Sequence, residues 1–157
     1  MSIIRNKTIE GLKAGDCFST KRMFTASEVA QFAEMSKDYN PIHFDDRFVD
    51  TKGLSGRICH GLLVGSLITE IGGQIGWLAS GINFKFKKPV FINDTVTCTL
   101  TIVHMDENGK AVAAAEFVNQ EGICVMTAEL FGFIPMGKDR EVLKTMVAEG
   151  DPTNRLR

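Results

Sequence analysis

The residues whose chemistry stands out lie in one short run, Asp38-Tyr39-Asn40-Pro41-Ile42-His43. A carboxylate and an imidazole sit five positions apart with a proline between them. On a helix that spacing would splay the two side chains. Pro41 cannot continue a helix and pushes Asn40 towards an extended conformation, so in a loop bent there both groups can aim at one point. Such a pair suits the addition or removal of water, where one proton leaves the water as another reaches carbon on the same side. A positioned acid or base is worth ~10²–10⁴ in rate. An Asp closing a helix followed by a surface His would spell the same string, so the motif alone leaves both readings open.

A second signal is Cys59-His60-Gly61, at the head of an almost wholly apolar run. First-turn N–H groups of a helix lack internal partners and carry partial positive charge. Gly61 has no side chain to keep a carbonyl from its N–H. A donor aimed at a developing oxyanion is worth ~10²–10³ in rate. A glycine demanded only by tight packing is the alternative. Cys59 beside His60 invites a nucleophile, but adjacent helical residues point to different faces, and a buried structural thiol fits better. Arg57, Lys85, Lys87 and Lys88 are cations that could meet phosphates, or simply a solvated face. His104 reads as a surface histidine in a strand.

These groups need a scaffold, and the patterning supplies one. Asp16 to Phe24 reads as a strand. Thr25-Ala26-Ser27-Glu28 fits a capping box opening a helix from Ala26 to about Lys37, whose apolar stripe is Val29, Phe32, Ala33 and Met35. From Asp38 to Gly56 the chain is a polar loop with a helical turn near Asp46–Asp50, and a loop that long in a small domain is expected to be functional. His60 to about Ala79 reads as a helix buried all round. Its five glycines, at 61, 65, 72, 73 and 76, each cost ~1 kcal/mol of helix stability and call for a sheet wrapped closely around it. The Gly72-Gly73 pair marks either a kink or an early end. Strands follow at Ile82–Lys87, Thr95–His104, Ala111–Val118 and Ile123–Ile134, separated by turns at Asn93-Asp94, Glu107-Asn108-Gly109 and Gln120-Glu121-Gly122. The expected class is α+β, a curved antiparallel sheet around one buried helix, the hot-dog architecture. The expected division is a domain over 1–137 and a polar tail over 138–157, with a loose helix from Asp139 to Val147.

At 157 residues, 44% hydrophobic and 24% charged, the chain suits one globular domain with a real core. A formal net charge of -1 gives no footprint for nucleic acid or an anionic membrane. Cys17, Cys59, Cys98 and Cys124 are scattered without a Cys-x-x-Cys pair, which argues against a zinc knuckle or dithiol centre. With no secretory leader in MSIIRNKTIE, the expectation is reduced thiols and a cytoplasmic location, though a trimmed mitochondrial matrix protein would look the same.

Taken together, Asp38-Tyr39-Asn40-Pro41-Ile42-His43, then His60-Gly61, then Phe86-Lys87-Lys88-Pro89-Val90-Phe91 with Asp94-Thr95-Val96 resemble the MaoC-like (R)-specific enoyl-CoA hydratases over about residues 12 to 134. The resemblance implies that Asp38 and His43 hold the water, that Asn40 supports the site and that Gly61 supplies the oxyanion N–H. His60, Thr69 and Lys87 are expected on the substrate side, Lys87 as a cation for phosphates and Thr69 because some relatives carry a hydroxyl near the Asp. A threonine bonded to its own helix is the competing account of Thr69. The resemblance further implies an acyl-CoA thioester substrate, an R-3-hydroxyacyl product, a homodimer, and no metal or redox cofactor. This chain departs from the family pattern in Ser55-Gly56-Arg57-Ile58-Cys59, which lacks a proline, in Asn93 where glycine is common, and in having no proline between Gly72 and Gly81. A hot-dog thioesterase and a non-catalytic acyl-CoA or acyl-carrier binding subunit are the rival readings.

Overall fold

The apolar run after His60 becomes the axis around which the other elements are arranged. In the structure, a computed structural model describing residues 2–155, it forms α4 (Gly61–Gly65) and α5 (Leu67–Ile75). The two are nearly continuous. At the joint, Ser66 turns its hydroxyl back to the Leu63 carbonyl at 2.6 Å, a bond that competes with the helical ladder. The axis ends earlier than its apolar content suggests. Gly76 adopts the left-handed conformation (φ 79°) and Trp77 N–H returns to the Gly72 carbonyl, so the expected extension to Ala79 is corrected. The Gly72-Gly73 pair neither ends nor breaks α5.

Five antiparallel strands curve around this axis in the order β1-β3-β4-β5-β2: β1 (Cys17–Met23), β2 (Leu78–Phe86), β3 (Thr95–Met105), β4 (Lys110–Asn119) and β5 (Cys124–Phe133). Alternation is regular in the inner strands. Val96, Cys98, Leu100 and Ile102 of β3 point inward, and small Ala111, Ala113 and Ala115 of the central strand leave room for Leu67, Ile68, Ile71 and Ile75 of α5. The glycines at 61 and 65 are needed for contact: a Cβ at Gly61 would fall 2.6 Å from the Phe86 ring, and one at Gly65 would fall 2.9 Å from the Phe84 ring. Two aromatic residues of β2 thus lie directly on the helix backbone. Trp77, between α5 and β2, sets its indole against Gly132 of β5, where any side chain would strike it.

The remaining helices are α1 (Ile3–Glu10), α2 (Ala26–Ser36), α3 (Asp46–Thr51) and α6 (Gly137–Ala148). The capping box of α2 is present, with Thr25 Oγ1 accepting from Glu28 N–H and Glu28 accepting from Thr25 N–H. Residues 1, 156 and 157, the outermost positions of the expected domain and tail, lie outside the described residues. Helix α1 has no counterpart in the sequence reading. It brings Arg5, 3% exposed, to the end of α5, where the guanidinium donates to the Gln74 and Gly73 carbonyls and pairs with Asp151 at 2.7 Å. A cation there complements the negative end of the helix dipole. Arg140 of α6 donates to the Ile9 carbonyl, so both ends of the chain close over the same end of the axis.

Candidate active site

Asp38 owes its position to the way α2 stops. Lys37 takes the left-handed conformation (φ 61°) as the helix cap, which is unusual for a non-glycine and throws Asp38 out of the helical path. The Asp38 carboxylate accepts the Asn40 N–H at 3.2 Å, and Asn40 Oδ1 in turn accepts the Ile42 N–H at 3.2 Å. Asn40 therefore caps the single 3₁₀ turn Pro41–His43 that carries the imidazole inward. Segment 57–59 runs antiparallel beside 90–92, held by Cys59 N–H to the Val90 carbonyl, and presents the Ile58 carbonyl to His43.

His43 Nδ1 lies 2.7 Å from that carbonyl. A carbonyl can only accept, so Nδ1 carries the proton and the lone pair of the neutral ring is on Nε2. Burial pushes the His43 pKa below 6.5, further lowered by His60 and only partly offset by the Ile58 bond and the Asp38 charge. Nε2 faces Asp38 Oδ2 at 4.0 Å. That separation is too long for a direct hydrogen bond and right for one water donating to both acceptors. The water's oxygen lone pairs would then be free to attack.

The pair opens onto a cleft of about 650 Å³ lined by Phe32, Leu54, Val64, Phe86 and Met126, with Gly61 at its wall and Lys87 and Lys88 also lining it. The first bond inside α4 runs from Val64 N–H to the His60 carbonyl, so the Gly61 N–H is left without an intrahelical acceptor. Not every expected residue reaches this cleft. Thr69 is exposed, donates its hydroxyl to the Ser66 carbonyl at 2.6 Å, and lines a separate polar depression with Thr20 and Glu70. Arg57 is engaged by Asp46 through two bonds of 2.8 and 2.9 Å. Cys59 is buried, and desolvation pushes its thiol up to about 12, which removes it as a nucleophile.

His60 is 2% exposed. Its Nε2–H donates to the Asp38 carbonyl at 2.9 Å, and its ring stacks on His43 with centroids 3.8 Å apart. Donor atoms of Asp38, His43 and His60 all lie within 4.8 Å, which raises the question of a metal ion. Stacked rings direct their lone pairs side by side rather than at one point, and Nε2 of His60 is already committed to a carbonyl. Asp38 Oδ2 and His43 Nε2 are then left facing each other across 4.0 Å. Neither the ring stack nor the Ile58 acceptor was foreseen from the sequence. The aromatic cover of Gly61 and Gly65 did leave a trace there, in Phe84 and Phe86 two apart and two glycines four apart.

The chain is thus a five-stranded hot dog with an Asp/His pair at the head of its central helix, and comparison with known proteins supplies its class. Residues 13–121 match the MaoC-like domain family, and the chain belongs to it. It is 32% identical over 131 residues to an (R)-specific enoyl-CoA hydratase of Aeromonas caviae, covering 80% of this chain and 98% of that one. It is 28% identical over 140 residues to a mitochondrial 3-hydroxyacyl-[acyl-carrier-protein] dehydratase of Arabidopsis thaliana, covering 85% and 83%. The solved (R)-hydratase from A. caviae superposes with a TM-score of 0.75 at 32% identity over 80% of this chain and 99% of that one.

Proposed function

We propose that the protein is a hydro-lyase that adds water to a trans-2-enoyl thioester of coenzyme A, giving the (R)-3-hydroxyacyl thioester, and catalyses the reverse elimination. The observation that carries this is the 4.0 Å gap between Asp38 Oδ2 and the unprotonated Nε2 of His43, beside an apolar cleft. In the forward direction an O–H bond of the bridging water breaks as its oxygen bonds to the β carbon. The proton passes to the Asp38/His43 pair, and the pair returns a proton to the α carbon on the same face. Charge gathers on the thioester oxygen, which the Gly61 N–H is free to meet. The thioester supplies the activation, so the reaction draws on no metal or redox cofactor. Hydratases and dehydratases among the relatives support the reading, some named for coenzyme A thioesters and others for acyl-carrier substrates.

The working unit we propose is a homodimer. Strand β2 is a sheet edge, and its inward-facing Ile82 (40% exposed) and Phe86 (59% exposed) extend beyond the cover of α5. A second copy laid along that edge would cover both.

The test is consumption of a short enoyl-CoA, followed by loss of absorbance of the conjugated thioester and by mass spectrometry of the product. A product one water heavier is expected, and free acid with free coenzyme A would indicate the thioesterase reading instead. Asp38→Asn and His43→Gln should each lower kcat by ~10²–10⁴, with circular dichroism showing both variants folded. Full turnover by both variants would overturn the assignment.

A further inference from the structure

The pair that acts on water is itself held by a third side chain. His60 opens the central helix, and its Nε2–H reaches the main-chain carbonyl of Asp38 at 2.9 Å. Its ring lies on that of His43, centroids 3.8 Å apart and planes inclined by 30°. Phe32 and Phe44 flank it with centroids at 5.0 and 6.2 Å. Nδ1 has no hydrogen-bond partner among the described residues. An unpaired buried polar atom costs ~1–3 kcal/mol. A phenylalanine would fill the same space without that cost, so what the imidazole contributes over a phenyl ring is its Nε2 donor. Asp38 has need of it: the residue leaves α2 through a left-handed cap, and its side chain is 50% exposed.

We infer that His60 is a positioning residue, which sets the gap between the Asp38 carboxylate and His43 Nε2 by anchoring the main chain of one and stacking on the ring of the other. This rests on the hydration reading above and departs from a substrate-binding role for His60. One side chain on the rigid helix is thereby linked to both members of a pair that otherwise belongs to a loop.

Two variants separate the donor from the ring. His60→Phe keeps the stack and loses the donor, and His60→Gln carries an amide N–H to about the reach of Nε2 and loses the stack. His60→Phe is expected to lower kcat on the order of 10²-fold, the effect of misplacing a reacting group by about 1 Å, with KM little changed. His60→Gln is expected to recover the share of that loss due to the donor and to keep the share due to the stack. Wild-type kcat in His60→Phe, or a loss confined to KM, would overturn the inference. Should His60→Phe fail to fold, His60→Gln decides, and a fall as deep as that of Asp38→Asn would count against us. Long-range ¹H–¹⁵N correlation spectra of the imidazoles add a readout independent of turnover. The proton is expected on Nε2 of His60 and on Nδ1 of His43, and a proton on Nδ1 of His60 would sink the proposal. Wild-type protein inert towards every enoyl-CoA would instead bring down the hydration reading, leaving the spectra to judge the placement of His60.

Discussion

At the scale of single residues, the site is a matter of which nitrogen carries a proton. His43 is committed by the Ile58 carbonyl to present a lone pair at Nε2, and burial keeps that lone pair free to lower pH than an exposed imidazole would. Two pH effects follow, with the same sign. Burial holds the His43 pKa below the ordinary imidazole value, so the acid limb of kcat/KM should have its midpoint below pH 6.5. The unfolded chain takes up the His43 proton with the ordinary value, so the stability that neutral His43 contributes is complete above that value and is lost as pH falls through the depressed folded one. Urea unfolding of wild type and His43→Gln at pH 7 and pH 5 measures the second effect: wild type should lose more stability between the two. Equal losses, or an acid limb of activity above 6.5, would show that burial does not govern this ring.

At the scale of elements, β2 and the central helix are matched by shape rather than polarity. Gly65 is the cleanest place to test this, since it lies away from the reacting groups. Alanine there should gain ~1 kcal/mol of helix propensity and lose about 1–3 kcal/mol by collision with the Phe84 ring. In a Phe84→Ala background only the gain remains, so Gly65→Ala should be harmful in wild type and neutral or stabilising there, as read from urea midpoints. Equal effects in both backgrounds would mean the ring does not impose the glycine. This matching also marks how far the sequence can be read. Capping box, strands and turns are local patterns, and Thr25–Glu28 and the strand at Thr95–His104 were legible for that reason. The sequence also marked Asp38 and His43 as a pair, because Pro41 rules out a continuous α-helix through both. The end of α5 was not legible, because Trp77, Leu78 and Ala79 are as apolar as the helix before them and only the left-handed Gly76 separates the two. Helix α1 escaped notice because its stabilisation is tertiary: Arg5 reads as a surface cation until the carbonyls of Gly73 and Gln74 are beside it.

At the scale of the whole molecule, the β2 edge carries exposed apolar side chains while the end of α5 is closed tightly. Arg5 and Asp151, 146 residues apart in sequence, meet over the end of α5 with side chains 4% and 1% exposed. Among the described residues nothing comparable covers Ile82 and the outer face of Phe86 on β2. Sedimentation should therefore find the protein at twice the chain mass, and Ile82→Lys, which sets a charge on the uncovered edge, should shift it towards the single chain. A wild-type protein that sediments as one chain at micromolar concentration would refute the homodimer.

The lone tryptophan of the chain stands where the axis hands over to β2, with its indole against Gly132. Its fluorescence is consequently a built-in gauge of one seam, between helix end and sheet, that no label is required to observe. Emission and far-ultraviolet dichroism recorded on one sample would tell whether that seam parts together with the rest of the fold or ahead of it.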